Sequence, residues 1–266
     1  MTIGERSTSN VELLKVSTIA AWVLPRTPSA PAPTPLAVLP LLQRGLAWKP
    51  EKVERLWDSL VRGFPVGSLL VSPYRDRPDL GAKKSALQGN LLPDADRDWH
   101  LLDGQQRATA IALGFFNPWR NQAHQDVGDL RYTLWVDLDP ADGADERDFV
   151  FRLLTRSHPW GYQRQNPGAP LTAGYRREAI ENYEKENNGG CLEAGRLPLK
   201  AAPFDANAPV PVAILLECIQ QSNTWNLLKE IMEQLDPFCN INIGEVQKRF
   251  ALIVKSVATW DAPATR

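Results

Sequence analysis

The run Leu101-Leu102-Asp103-Gly104-Gln105-Gln106-Arg107 constrains the fold of this chain more than any other stretch. Apolar residues from Trp99 to Leu102 read as a strand, and an Ala-rich segment from Gln105 to Leu113 reads as a helix. Only Asp103 and Gly104 lie between them, so strand and helix meet without a loop. The first-turn amides of a helix have no partners within it, which makes such a junction a ready place for an anion. Arg107 adds a permanent charge suited to phosphate, and Gln105 and Gln106 add side-chain donors. Asp103 has two readings, a helix cap and a ligand for Mg²⁺ or water. Thr109, one turn further on, reads as a packing residue ahead of a ligand.

Other elements follow from periodicity. Pro50 opens a helix at a position where its missing N–H costs nothing, with Glu51 and Glu54 favourably near the N-terminus. Val53, Leu56, Trp57, Leu60 and Val61 form its apolar face, and Gly63 ends it. Leu69 to Val71 reads as a buried strand. Further strands are expected at Arg131 to Leu138 and Phe149 to Thr155, and helices at Leu171 to Glu186, Val212 to Leu235 and Ile243 to Trp260. Val11 to Leu24 reads as a local strand or helix, not a signal peptide. Six prolines from Pro25 to Pro40 predict an extended connector, and Arg75 to Asp98 a long polar excursion. The expected fold class is α+β. An N-terminal segment and connector (1–35) precede a mixed domain (36–155), and a mainly helical region (156–266) follows.

Composition bounds the function. The 266 residues, 43% hydrophobic, are enough for a full core, and no apolar run is long enough to span a membrane. Thirty Lys and Arg face 31 Asp and Glu, so there is no global basic field and any nucleic-acid contact needs a local patch. Arg152, Arg156 and Arg164 with Lys83 and Lys84 are candidates for one. Cys191, Cys218 and Cys239 are too widely spaced for a disulfide framework or zinc site, which suits a reducing cytoplasm. There is no G-x-x-x-x-G-K-[ST] loop. The cluster Ser157-His158-Pro159-Trp160-Gly161-Tyr162 reads as a rigid aromatic loop, since adjacent Ser and His seldom face each other productively.

The Asp-Gly-Gln-Gln-Arg motif after a strand resembles the signature of the N-terminal domain of GmrSD-type modification-dependent restriction enzymes, SspE-like defence proteins included. Upstream, Gln43-Arg44 with Trp48, the helix through Ser59 and Leu60, and Gly63-Phe64-Pro65-Val66-Gly67-Ser68-Leu69-Leu70 match the family pattern in order and content over about residues 36 to 113. The resemblance implies a ParB/sulfiredoxin-like core that binds a nucleoside triphosphate with Mg²⁺ and hydrolyses it.

It further implies that Asp103, Gln105, Gln106 and Arg107 act on the nucleotide, with Gln43, Arg44, Trp48, Ser68, Gly104 and Thr109 in the same pocket and Asp103 as the metal ligand. By residue type alone, Gln43 and Arg44 are an ordinary surface pair, and Trp48 is either a base-stacking ring or a staple at the helix entry. The implied partners are DNA, with or without a modification, and a nuclease domain or subunit. The sequence leaves a homo-oligomer open. A non-catalytic sensor of nucleotide or modified DNA would use the same donors. None of the three cysteines lies near the motif, which points away from sulfiredoxin chemistry.

Overall fold

The computed structural model describes residues 13–24, 35–41, 48–76, 78–82, 97–117, 132–141, 149–155, 162–163, 166–170, 206–220, 224–235 and 241–260. In chain order the elements are α1 (Val16–Ala21), β1 (Ala37–Val38), α2 (Pro50–Val61), β2 (Leu70–Pro73), β3 (Trp99–Asp103) and α3 (Gln105–Phe115). They continue with β4 (Tyr132–Asp137), β5 (Val150–Thr155), β6 (Tyr162–Gln163), β7 (Asn166–Pro170), β8 (Pro209–Pro211), α4 (Val212–Gln220), α5 (Thr224–Leu235) and α6 (Ile243–Trp260). Two short 3₁₀ turns, Tyr74–Asp76 and Pro78–Leu80, follow β2. The class is α+β.

Helix α3 is the centre of the molecule. It packs on α1, α2, α4 and β4, and its residues from Ala108 to Gly114 are all buried. A helix buried on several sides is apolar nearly all round, and its alanines let neighbouring elements come close beside the larger Ile111 and Leu113. Gly114 is the closest point: a Cβ there would lie 2.0 Å from Trp57 Cζ2. The Trp57 indole N–H also donates to the Ala110 carbonyl at 2.8 Å.

Helix α2 begins at Pro50 and buries Val53, Leu56, Trp57, Leu60 and Val61, the face that the spacing predicts. It closes in a Schellman motif. Gly63 takes φ +75°, and the N–H groups of Gly63 and Phe64 bond to the carbonyls of Leu60 and Ser59 at 3.1 and 2.8 Å.

The described strands form two three-stranded sheets and one two-stranded pair. In the first, β3 pairs in parallel with β1 and antiparallel with β2. The expected buried strand at Leu69 to Val71 is instead an edge strand over Leu70–Pro73, with Leu70 58% exposed. Its outer side has no neighbouring strand among the described residues, so apolar composition there does not mean burial. Strand β1 lies at the end of the proline run, where an extended connector was expected, and buries Leu36, Ala37, Val38 and Leu39. In the second sheet β4 is central, antiparallel to β5 and β8. Strands β6 and β7 pair with each other.

The C-terminal helices complete the same core. One apolar cluster runs from Ala20 through Trp57, Leu113 and Val136 to Leu215, Ile231 and Ile253. The Val212–Leu235 segment, expected as one helix, forms two helices, α4 and α5, and Ile243–Trp260 forms one. The helix expected at Leu171 to Glu186 lies outside the described residues. None of the helices described is long and apolar enough to cross a membrane.

Buried carboxylates fasten the second sheet. Glu54 and Asp58 of α2 accept the backbone N–H groups of Leu153 and Phe149 at 2.9 and 3.0 Å. At the far end of β4, Asp137 accepts those of Ala208, Asn207 and Asp139 at 2.8, 2.9 and 3.0 Å. Asp139 in turn accepts the Asn242 N–H at 2.7 Å, just ahead of α6. Asp137 at the end of β4 and Asp139 two residues beyond it therefore organise a strand-end turn.

Candidate functional site

Strand β3 ends on Asp103, and α3 starts at Gln105 with Gly104 as its N-cap. Gly104 adopts φ +92°, a left-handed conformation that turns the chain from strand to helix in one residue. A side chain would not fit: a Cβ on Gly104 would meet Leu69 Cδ2 at 2.2 Å. Of the two readings of Asp103, the helix cap does not hold, since Gly104 is the N-cap and no side chain caps it. Being the last strand residue, Asp103 sits one position too early, and its carboxylate turns to Arg107, whose Nη2 donates to Oδ2 at 3.2 Å.

The Arg107 guanidinium is held from a second side. Its Nη1 makes a long contact with the Val66 carbonyl oxygen, 3.5 Å away, and a Cβ on Gly67 would lie 2.2 Å from the same nitrogen. Gly67 has φ +88°. Leu70 is the register partner of Asp103, so the chain from Val66 to Leu70 runs alongside the junction from Asp103 to Arg107. Two stretches that are distant in sequence, Val66-Gly67-Ser68-Leu69 and Asp103-Gly104-Gln105-Gln106-Arg107, form one unit. Asp103 is open to solvent, with its side chain 74% exposed, and the Arg107 side chain retains 22% exposure.

The other predicted residues fall around this unit to different degrees. The Trp48 N–H donates to Gln106 Oε1 at 3.2 Å, which attaches the entry of α2 to the first turn of α3. The Trp48 ring is half-buried against the core, with Lys52 Nζ 6.0 Å from its centroid. Gln105 is buried, and Thr109 is buried within α3, as expected of a packing residue. Ser68 is exposed, one residue before Leu69. Gln43, Arg44, Lys83, Lys84 and residues 157–161 of the Ser157 to Tyr162 cluster lie outside the described residues, and Tyr162 opens β6.

A model of the N-terminal domain of the GmrSD restriction endonuclease matches residues 34–248. The chain belongs to this family. No curated protein matches it. The match covers both motifs that meet at the junction, and it runs on through β8, α4 and α5 into α6. In this GmrSD N-terminal domain the family motif thus falls where a strand, a glycine and an enclosed helix meet.

Sequence reading alone misses the Val66 carbonyl and the space over Gly67 as partners of Arg107. A backbone carbonyl and an absent side chain leave no mark in composition. The one trace is the glycine within Val66-Gly67-Ser68-Leu69, which reads there only as a turn residue.

Among the described residues no group of three or more acidic, His or Cys side chains forms a metal site. Among the described residues Asp103 is the carboxylate at the junction, and it is paired with Arg107. That donor set does not fit a resident cation by itself. Mg²⁺ binds through one or two carboxylates plus phosphate oxygens and water, so Asp103 would be the residue here to hold such an ion.

Proposed function

We propose that this chain is the nucleotide-binding, NTP-hydrolysing module of a GmrSD-type restriction system, acting on DNA together with a nuclease domain or subunit. The observation that carries the reading is the placement of Arg107. Its guanidinium is fixed at the N-terminus of a long buried helix, partly open to solvent, in a chain of this family.

Magnitudes favour phosphate over the resident partner. An exposed i,i+4 ion pair such as Asp103–Arg107 is worth about 0.3–0.5 kcal/mol, so opening it costs little, and a phosphate group carries more charge and more acceptor oxygens than the carboxylate. A triphosphate oxygen can therefore replace Asp103 on Arg107 and gain the first-turn dipole of α3 as well. Asp103, released, faces solvent at the site where Mg²⁺·NTP docks and serves to orient water or the cation. Gln105 and Gln106 give the first turn its remaining polar groups. Gln43 and Arg44 join the same pocket in this reading. Their support is the Trp48–Gln106 bond, which fixes the chain four residues beyond Arg44 beside α3. Four residues span at most roughly 14 Å.

A second reading, a module that binds nucleotide or modified DNA without turnover, is favoured by the pairing of Asp103 with Arg107, which occupies the carboxylate that catalysis would use. Phosphate release from several nucleoside triphosphates with Mg²⁺, with and without modified DNA, separates the two. The hydrolytic reading expects release that Arg107→Ala lowers by about tenfold or more, the loss of one charge-assisted contact. Binding without release in any combination supports the sensor.

A further inference from the structure

We infer that Gly67 is a positioning residue for Arg107, because the empty space over its Cα is the seat of the guanidinium. For its ligand this rests on the nucleotide reading above; for the seat it does not.

The turn between α2 and β2 contains two glycines in left-handed conformations, Gly63 at φ +75° and Gly67 at φ +88°. Their backbones make a similar demand, but their surroundings differ. Nothing lies within 4 Å of a Cβ built on Gly63, so that glycine serves the helix end alone. A Cβ on Gly67 would lie 2.2 Å from Arg107 Nη1 and 3.4 Å from Cζ. The guanidinium is held between two partners, with Nη1 3.5 Å from the Val66 carbonyl oxygen and Nη2 3.2 Å from Asp103 Oδ2.

The obstructing atom is the far end of a flexible side chain, and that decides what a substitution does. The fold need not move to admit a methyl group at 67; the guanidinium swings out. The backbone strain of a positive φ is common to both glycines. Displacement of Arg107 belongs to Gly67 alone.

The test compares Gly63→Ala, Gly67→Ala, Arg107→Ala and the Gly67→Ala/Arg107→Ala double variant in the full chain. One readout is the Arg107 Nε–Hε NMR signal, assigned by its absence from Arg107→Ala. The other is the Kd for Mg²⁺·ATP. Gly67→Ala is expected to shift the Arg107 signal and to weaken Mg²⁺·ATP binding about tenfold or more, on the scale of one lost charge-assisted contact. Gly63→Ala is expected to leave both within roughly twofold of the wild type, well inside one such contact. In the Arg107→Ala background Gly67→Ala should add nothing, as for two residues that act as one unit. An unmoved Arg107 signal in Gly67→Ala, or an equal loss of binding with and without Arg107, would overturn the inference. If Arg107→Ala itself leaves Mg²⁺·ATP binding intact, the nucleotide reading fails while the NMR shift still decides the seat. Should the alanine variants not fold, the Gly63→Asn and Gly67→Asn pair gives the same comparison, because Asn tolerates the left-handed region.

Discussion

The Leu153 backbone N–H donates to Glu54 Oε1 at 2.9 Å, tying the middle of β5 to a carboxylate that is 1% exposed on α2. With Asp58 on Phe149 one turn later, α2 supplies acceptors along the side of β5 away from β4. An uncovered strand edge carries unpaired backbone donors, and here side chains satisfy two of them. Glu54→Ala strands a buried N–H, so a loss of about 1–3 kcal/mol in unfolding free energy is expected. Glu54→Gln keeps a carbonyl oxygen and should lose less. Urea unfolding of both variants checks the order; equal losses would mean that the Leu153 bond carries little.

Gly114→Ala sets two effects against each other. Alanine favours a helix interior over glycine by about 1 kcal/mol. Against that, the new Cβ would lie 2.0–2.6 Å from three atoms of the Trp57 ring, which is fully buried and anchored by its bond to Ala110. Overpacking of this kind costs about 1–3 kcal/mol. Crowding should win, giving a net destabilisation and a lower thermal midpoint. A Gly114→Ala protein more stable than the wild type would show that α2 and α3 have slack between them.

Burial raises the Asp137 carboxyl above its ordinary value of 3.8, the three backbone N–H bonds and the nearby Asp139 charge acting as smaller opposing and reinforcing influences respectively. A carboxyl with a raised folded pKa binds its proton more tightly in the folded state. Its contribution to stability is therefore fully present below pH 3.8 and lost as pH rises through the raised value. The stability of the wild type relative to Asp137→Asn should fall across that window. Each tenfold gain in proton affinity on folding is worth about 1.4 kcal/mol. Denaturant midpoints of the two proteins measured from pH 3.5 to about pH 7 give the sign; a difference that grows with pH would reverse it.

Helix α2 was legible because five apolar residues, an opening proline and a closing glycine all specify the same element. Strand β1 was not, because Ala37 and Val38 sit among prolines and gain strand character only from a parallel partner far along the chain. Leu70 misled for the opposite reason: apolar composition does not reveal that a strand lies at a sheet edge. The junction at Gly104 was legible, since a strand, a glycine and a helix follow one another without a gap. The cap reading of Asp103 fell one residue early, because Asp is a common cap and Gly104 is required there for a φ that no sequence spells out.

The central claim is that triphosphate docks at the α3 N-terminus on Arg107. The most direct measurement is a crystal structure of the chain with Mg²⁺ and a non-hydrolysable nucleoside triphosphate. Phosphate density within hydrogen-bonding distance of the Arg107 guanidinium and the first-turn amides of α3, with the Asp103–Arg107 pair opened, is the result expected. Triphosphate ordered elsewhere on the molecule, with that pair intact at the junction, would contradict the account.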